Sequence, residues 1–185
     1  MIRVEGVVKH FGGITALRDV SLEIPTGECH ALMGENGAGK STLAKIMAGI
    51  HRADAGSVWL DGQSVDFRSP ADALKHGVAM VHQELASCPD LSIAENLSLG
   101  GIPRRFGIFV DREALNRRAR EQLAAIGTSL DVTQSMSSLS TAQEQLVQIA
   151  AAVATGARVL LFDEPTSSLS DTEAESLFEL IERLR

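Results

Sequence analysis

The chain is short of cysteine, of basic charge and of aromatic side chains, and it has no long uninterrupted apolar run; each shortage removes a class of protein. Cys29 and Cys88 stand far apart without Cys-x-x-Cys spacing, the pattern of ordinary reduced thiols rather than of a disulfide framework or a metal site. The most apolar stretch, Val147 to Phe162, is broken by Gln148, Thr155, Gly156 and Arg158, and falls short of the roughly 18 uninterrupted apolar residues that a membrane span needs. With 17 basic against 24 acidic residues the net charge is -7, so duplex nucleic acid meets no general electrostatic attraction. The opening Met1-Ile-Arg-Val-Glu-Gly lacks the apolar core of a secretory signal, which predicts a cytoplasmic chain. At 44% hydrophobic and 22% charged, the 185 residues have the composition of a globular protein, and the length predicts one domain that can close a core without staples.

Val4 to Val8, Val20 to Ile24 and Ser57 to Leu60 read as short strands separated by the turn signals Phe11-Gly-Gly, Pro25-Thr-Gly and Asp61-Gly, which predicts an antiparallel sheet. His30 to Met33 and Val159 to Phe162 are instead continuous apolar runs, the pattern of strands buried in a parallel sheet. Asp111 is a candidate N-cap for a helix with Leu115, Ala119, Leu123 and Ile126 on one face and Gly127 as its stop. A second helix is expected from Ser140 to about Gly156, with Ala142, Leu146, Ile149, Ala150 and Val153 on one side. No internal repeat or low-complexity linker interrupts the chain, although the polar segment Ser129 to Ser140 reads as a connecting loop.

Gly34-Glu35-Asn36-Gly37-Ala38-Gly39-Lys40-Ser41 matches the phosphate-loop pattern G-x-x-x-x-G-K-[ST], between the apolar run at His30 to Met33 and the helical sequence from Thr42 to Ala48, with Gly49 as its stop. Glycines let the backbone wrap closely round an anion, so that successive N–H groups and the following helix N-terminus point at phosphate. Lys40 then places a cation on the β and γ phosphates of ATP, and the Ser41 hydroxyl can ligate Mg²⁺. Arg158-Val-Leu-Leu-Phe-Asp163-Glu164-Pro165 supplies a second element, an apolar strand ending in two carboxylates at the sheet edge where α/β proteins bind ligands. Because strand side chains alternate, the two carboxylates have different roles. Asp163 is assigned to the Mg²⁺ shell, directly or through water, and Glu164 to polarising the attacking water. Alone, Asp163-Glu164-Pro165 would equally suit a solvated turn.

Three further segments, Val81-His-Gln83-Glu, Leu139-Ser-Thr-Ala-Gln143 and Ser167-Ser-Leu-Ser170, stand in an order that resembles the ATP-binding cassette (ABC) family. The resemblance implies an α/β fold: a P-loop NTPase core with a mainly parallel sheet, an antiparallel β subdomain and a helical subdomain over about residues 87–145. It also implies that Gln83 reaches the metal and the attacking water and links the site to a membrane partner, and that Phe11 stacks on adenine. Without it, Gln83 would be a surface loop residue and Phe11 a core aromatic. Ser140, Thr141, Ala142 and Gln143 become the signature loop, which in the family closes over ATP held by a second cassette. Read alone, Ser140-x-x-Gln143 favours an ordinary capping box, which needs no ligand, over an anion site. Two departures stand out: Thr141-Ala142 replaces the usual Gly-Gly, and Ser170 stands where many relatives carry aspartate. The Leu-Ser-x-Ala-Gln form, Glu95-Asn-Leu-Ser-Leu-Gly100 and Phe11-Gly-Gly-Ile-Thr-Ala-Leu17 are similar to the first cassette of bacterial monosaccharide importers.

That subgroup implies an ATPase energising sugar import from the cytoplasmic face of the inner membrane, with permease subunits, a second cassette and, indirectly, an extracytoplasmic solute-binding protein as partners. The resemblance implies a switch histidine well past Glu164, which is absent from this sequence, and His82 reads as incidental, so the chain is expected to be an N-terminal fragment of a longer, two-cassette subunit. Two alternatives stand beside this reading, a cassette ATPase acting on nucleic acid through Arg104, Arg105, Arg112, Arg117, Arg118 and Arg120, and an ATP-binding module that does not turn over. Asp111, Glu113 and Glu121 interrupt the arginines and no aromatic-rich surface accompanies them, which favours a solvated helix face. A phosphate-loop kinase would leave the signature loop unexplained. Lys40→Ala is expected to weaken nucleotide binding sharply; a fluorescent-nucleotide titration with unchanged affinity would contradict the phosphate-loop reading.

Overall fold

A computed structural model describes residues 1–81, 87–166 and 169–185. In chain order the elements are β1 (Ile2–Phe11), β2 (Ile14–Ile24), α1 (Lys40–Met47), β3 (Ala55–Leu60), β4 (Gln63–Val65), α2 (Pro70–Lys75), β5 (Val78–Val81), α3 (Ile93–Leu97), β6 (Arg104–Arg105), β7 (Phe109–Val110), α4 (Arg112–Ala125), α5 (Thr141–Ala154), β8 (Val159–Phe162) and α6 (Asp171–Leu184). They form two compact units. One comprises Met1–Met80, Ala157–Asp163 and Arg185, the other Val81–Gly156 and Glu164–Leu184.

The first unit is built on an antiparallel sheet of order β2-β1-β3-β4. Alternation puts Ile2 and Val4 of β1 inside with Val58 and Leu60 of β3, while Arg3 and Glu5 face outward and pair at 3.2 Å. Gly12-Gly13 turns β1 into β2, with Phe11 opposite Ile14, the two-residue hairpin that paired glycines favour. This pairing carries both strands well past the segments that apolar content alone marks. Helix α1 packs Leu43, Ile46 and Met47 into the same core as Val7, Leu17, Phe67, Val78 and Leu161. The N–H groups of Arg158 and Val159 donate to the Gly77 carbonyl at 2.7 and 3.0 Å, so the starts of β5 and β8 meet and the two strands run in the same direction. Arg158 Nη1 reaches Asp61 Oδ2 at 2.7 Å across that end.

His30–Met33 is a correction. No strand forms there: Met33 is 91% exposed and Leu32 38%, and the His30 ring pairs locally with Glu28 at 2.8 Å. An apolar run of four becomes a strand only where neighbouring backbone groups pair with it, and the sheet of β5 and β8 has just those two strands among the described residues.

In the second unit, Asp111 caps α4 by accepting the Ala114 N–H at 2.9 Å, and Leu115, Ala119 and Leu123 are buried at helical spacing. Ile126 closes that stripe, and Gly127, at φ +69°, stops the helix as expected. Arg183 of α6 donates to the Ile126 carbonyl at 3.1 Å and so covers that helix end. Helix α5 is packed by both α3 and α4, so its buried set differs from a single stripe: Gln145, Val147, Ile149 and Ala150 are buried, while Ala142, Leu146 and Val153 are half-buried. Arg104, Arg105, Arg112, Arg117, Arg118 and Arg120 are all exposed. Both cysteines are exposed free thiols, and among the described residues no helix is long and apolar enough to cross a membrane.

The Asp54 carboxylate clamps the irregular end of β1, accepting from Lys9 Nζ at 2.8 Å and from the His10 N–H at 2.6 Å. The Lys9 hydrogen bond, aided by His10, holds this acid down from its ordinary 3.8 to about 2. A depressed acid stabilises the fold above its unfolded value and loses that contribution as pH falls through the folded one. Wild type is therefore expected to be more stable than Asp54→Asn at neutral pH, with the difference closing between pH 3.8 and about 2 in denaturant titrations.

Candidate nucleotide site

The phosphate loop ends on Gly39, the N-cap of α1, at φ 89° and ψ 4°. An ideal Cβ at this position would lie 2.6 Å from the Ala16 carbonyl oxygen and 2.7 Å from Leu17 Cδ2. Backbone hand and the close approach of β2 therefore both require glycine here. No side chain caps α1, so the N–H groups of its first turn, from Lys40 through Ser41 and Thr42, lie open to an anion. Within the loop the Ala38 N–H donates to the Glu35 carbonyl at 3.1 Å, and the segment from Gly34 to Ala38, with Asn36 and Gly37 inside it, is exposed. Lys40 Nζ donates to the carbonyls of Gly34 at 2.8 Å and Glu35 at 3.0 Å, which folds the ammonium over its own loop.

Next to the loop lysine, the Ser41 hydroxyl donates to Asp163 Oδ1 at 2.6 Å, joining residues 122 positions apart. Asp163 stands just beyond β8, only 9% exposed, with Lys45 Nζ 4.0 Å from its other oxygen. The hydroxyl and carboxylate oxygens are hard donors of the kind Mg²⁺ takes, and such an ion keeps several water and phosphate ligands rather than an all-protein cage. Ser41 and Asp163 fit that habit, offering one hydroxyl and one carboxylate side by side and leaving other positions to water and phosphate.

Glu164 follows at φ +47°, a left-handed conformation uncommon outside glycine, and is exposed. Strand alternation, the reason expected for separating Asp163 from Glu164, is corrected. Strand β8 ends at Phe162, and the two carboxylates part because one is buried and the next residue changes backbone hand. No sequence signal marks a left-handed glutamate. Next to Glu164 in the same unit, the Pro165 carbonyl accepts from Gln145 Nε2 at 2.8 Å. Sequence reasoning missed Gln145; set between Glu144 and Leu146, with Gln148 one turn on, it carries no local signal of burial.

Phe11 is not a core aromatic: it is 44% exposed, with its ring edge-on to His51 at 5.2 Å and Lys9 Nζ 5.4 Å from its centroid. Ser140 caps α5 in a complete capping box, with the Gln143 N–H to Ser140 Oγ at 3.3 Å and the Ser140 N–H to Gln143 Oε1 at 3.0 Å. The box uses those two N–H groups and leaves the amides of Thr141 and Ala142 without a partner inside the helix, so cap and anion site are compatible. Ser170, in the family's aspartate position, donates through N–H and hydroxyl to Glu173 at 3.0 and 2.7 Å, which holds that carboxyl below its ordinary range. Gln83, with its neighbour His82, and Ser167 lie outside the described residues.

A family model described as ABC transporter matches residues 17–167. The chain belongs to this family. It is 50% identical over 185 residues to the ribose import ATP-binding protein RbsA of Chromobacterium violaceum, covering 100% of this chain and 37% of that protein. It is 50% identical over 184 residues to the arabinose import ATP-binding protein AraG 1 of Burkholderia lata, covering 100% of this chain and 36% of that one. The chain thus spans little more than a third of the length of these curated relatives. Among solved structures it resembles an ABC-transporter cassette in its ADP conformation, at 26% identity and TM-score 0.86 over 100% of this chain and 76% of that one. A dimeric cassette in a post-hydrolysis state with ADP and phosphate matches at 27% identity and TM-score 0.80, over 100% of this chain and 82% of that one.

The two loop glycines separate strain from contact. A Cβ at Gly37 meets nothing within 4 Å, although both positions have positive φ. Gly39→Ala is therefore expected to destabilise the cassette by about 1–3 kcal/mol more than Gly37→Ala, measured by denaturant unfolding.

Proposed function

We propose that this chain binds ATP with Mg²⁺ and hydrolyses it to energise import of a monosaccharide through a membrane permease. The contact between Ser41 and Asp163, 2.6 Å long and set beside an uncapped helix N-terminus with its lysine, carries the proposal. In this reading the amides from Gly34 to Thr42 cradle the phosphates, and Lys40 swings from its two loop carbonyls to the β and γ oxygens. Ser41 and Asp163 would hold Mg²⁺, joined by Gln83, and the bound ion would supply positive charge against that building up on the transferred phosphoryl group.

Glu164 accepts the proton of the attacking water, a general-base contribution of roughly 10² to 10⁴ in rate. Its exposure leaves it open to water, and its left-handed backbone is the kind of outlier that functional turns keep. Phe11 offers a partly exposed ring on which adenine can stack, with Lys9 Nζ over the ring and the His51 ring set steeply against it. The N-terminus of α5 is the surface for a second cassette: Ser140 and Gln143, tied in their box, and the open amides of Thr141 and Ala142 meet the γ-phosphate bound by the other copy. Methyl groups at positions 141 and 142 keep that approach looser than paired glycines would.

Support for sugar import comes from relatives named for ribose and arabinose import. Permease subunits, a second cassette and an extracytoplasmic solute-binding protein are then the partners, at the cytoplasmic face of the inner membrane. Hydrolysis is expected to be slow, to require Mg²⁺ and to rise more steeply than linearly with protein concentration, because one copy completes the other's site. Phosphate release measured across a dilution series checks this; a strictly proportional rate would remove the shared site.

A further inference from the structure

The side-chain amide of Gln145 is 7% exposed and donates to the Pro165 carbonyl at 2.8 Å. Only Nε2 can make this bond, because the amide oxygen and a carbonyl are both acceptors. An apolar residue would pack in the same place without the cost of burying an amide, so the pairing itself needs a reason.

The reason lies in the turn. Glu164 sits at φ +47°, a backbone state that persists only where its surroundings over-determine it. Pro165, next in the chain, has no N–H, so no amide hydrogen bond at that residue can pin the turn. Its carbonyl is the remaining main-chain handle, and that is the atom Gln145 holds. Gln145 itself lies on the second turn of α5, whose first turn is stiffened by both halves of the Ser140 and Gln143 capping box. A helix moves as a unit over so short a span, so any displacement of the Ser140 end carries Gln145, and with it Pro165, along.

We propose that Gln145 is a positioning residue for hydrolysis: by holding the Pro165 carbonyl it fixes the turn that carries Glu164 and makes the placement of Glu164 depend on the position of the helix opened by Ser140. The inference rests on Glu164 being the base proposed above. Its consequence is that a cassette whose signature helix has docked reports the docking to the catalytic turn of its own chain. Gln145 touches neither nucleotide nor water in this scheme.

Gln145→Met keeps the length without any polar group, and Gln145→Glu keeps the shape but sets a buried carboxylate against the carbonyl, which is also expected to lower the melting midpoint. Measured in the full-length protein, both are expected to lower kcat for ATP about 10- to 100-fold, with KM and nucleotide affinity near wild type in both and the melting midpoint near wild type in Gln145→Met. Unchanged kcat in both variants overturns the proposal, and so does a loss of kcat that merely follows loss of affinity and thermal stability. Glu164→Gln, assayed alongside, isolates the underlying reading: full activity in that variant removes Glu164 as the base, whatever the Gln145 variants do.

Discussion

The hydrogen bond from the Ser41 hydroxyl to Asp163 is the interaction on which the nucleotide site depends. It joins the first turn of α1 to the end of β8, and both arrive there for reasons of packing. Leu43, Ile46 and Met47 hold α1 on the core, and Leu161 holds β8 in the same cluster. A glycine-rich loop by itself makes an anion site of modest selectivity. In the proposed function, a buried carboxylate beside its serine would add a place for a divalent cation, and the two together would favour a magnesium-bearing polyphosphate over other anions.

Two helix N-termini in the chain are capped in opposite ways. Helix α1 starts from Gly39 with no side-chain cap, whereas α5 starts from Ser140 with its capping box complete. An uncapped start leaves its amides to a ligand, at a cost to the isolated helix that α1 offsets by burying half of its length. A capped start is rigid without a ligand, which suits an element proposed to touch another molecule's nucleotide only part of the time. Thr141 and Ala142 fit this division, since neither their conformation nor their exposure needs the freedom of glycine while the box holds.

Much of the fold was legible because the signals are local. Asp111 and Ser140 cap the helices expected of them, Gly127 stops α4, and Val159–Phe162 forms β8 with the bounds the sequence suggests. The misreadings have one origin: they concern groups whose state is set by something distant in the chain. His30–Met33 is apolar enough for a strand and lacks the neighbours to become one. Gln145 and Val147 are buried because α5 is packed on more than one side, which no single amphipathic stripe can express.

The sequence alone determined the chemistry on offer: a glycine loop with its lysine and serine, an apolar strand ending in paired carboxylates, and a serine-capped helix, all within short windows where propensity and motif spacing act directly. Tertiary structure alone decided which of these groups meet. Ser41 finds Asp163 across 122 residues, Gln145 finds Pro165, and Glu164 takes a left-handed backbone that no neighbouring residue type announces. The physical reason is that hydrogen bonds between distant segments, and backbone states held against their intrinsic preference, depend on the packed core around them, whereas caps, turns and periodic faces depend only on residues a few positions away.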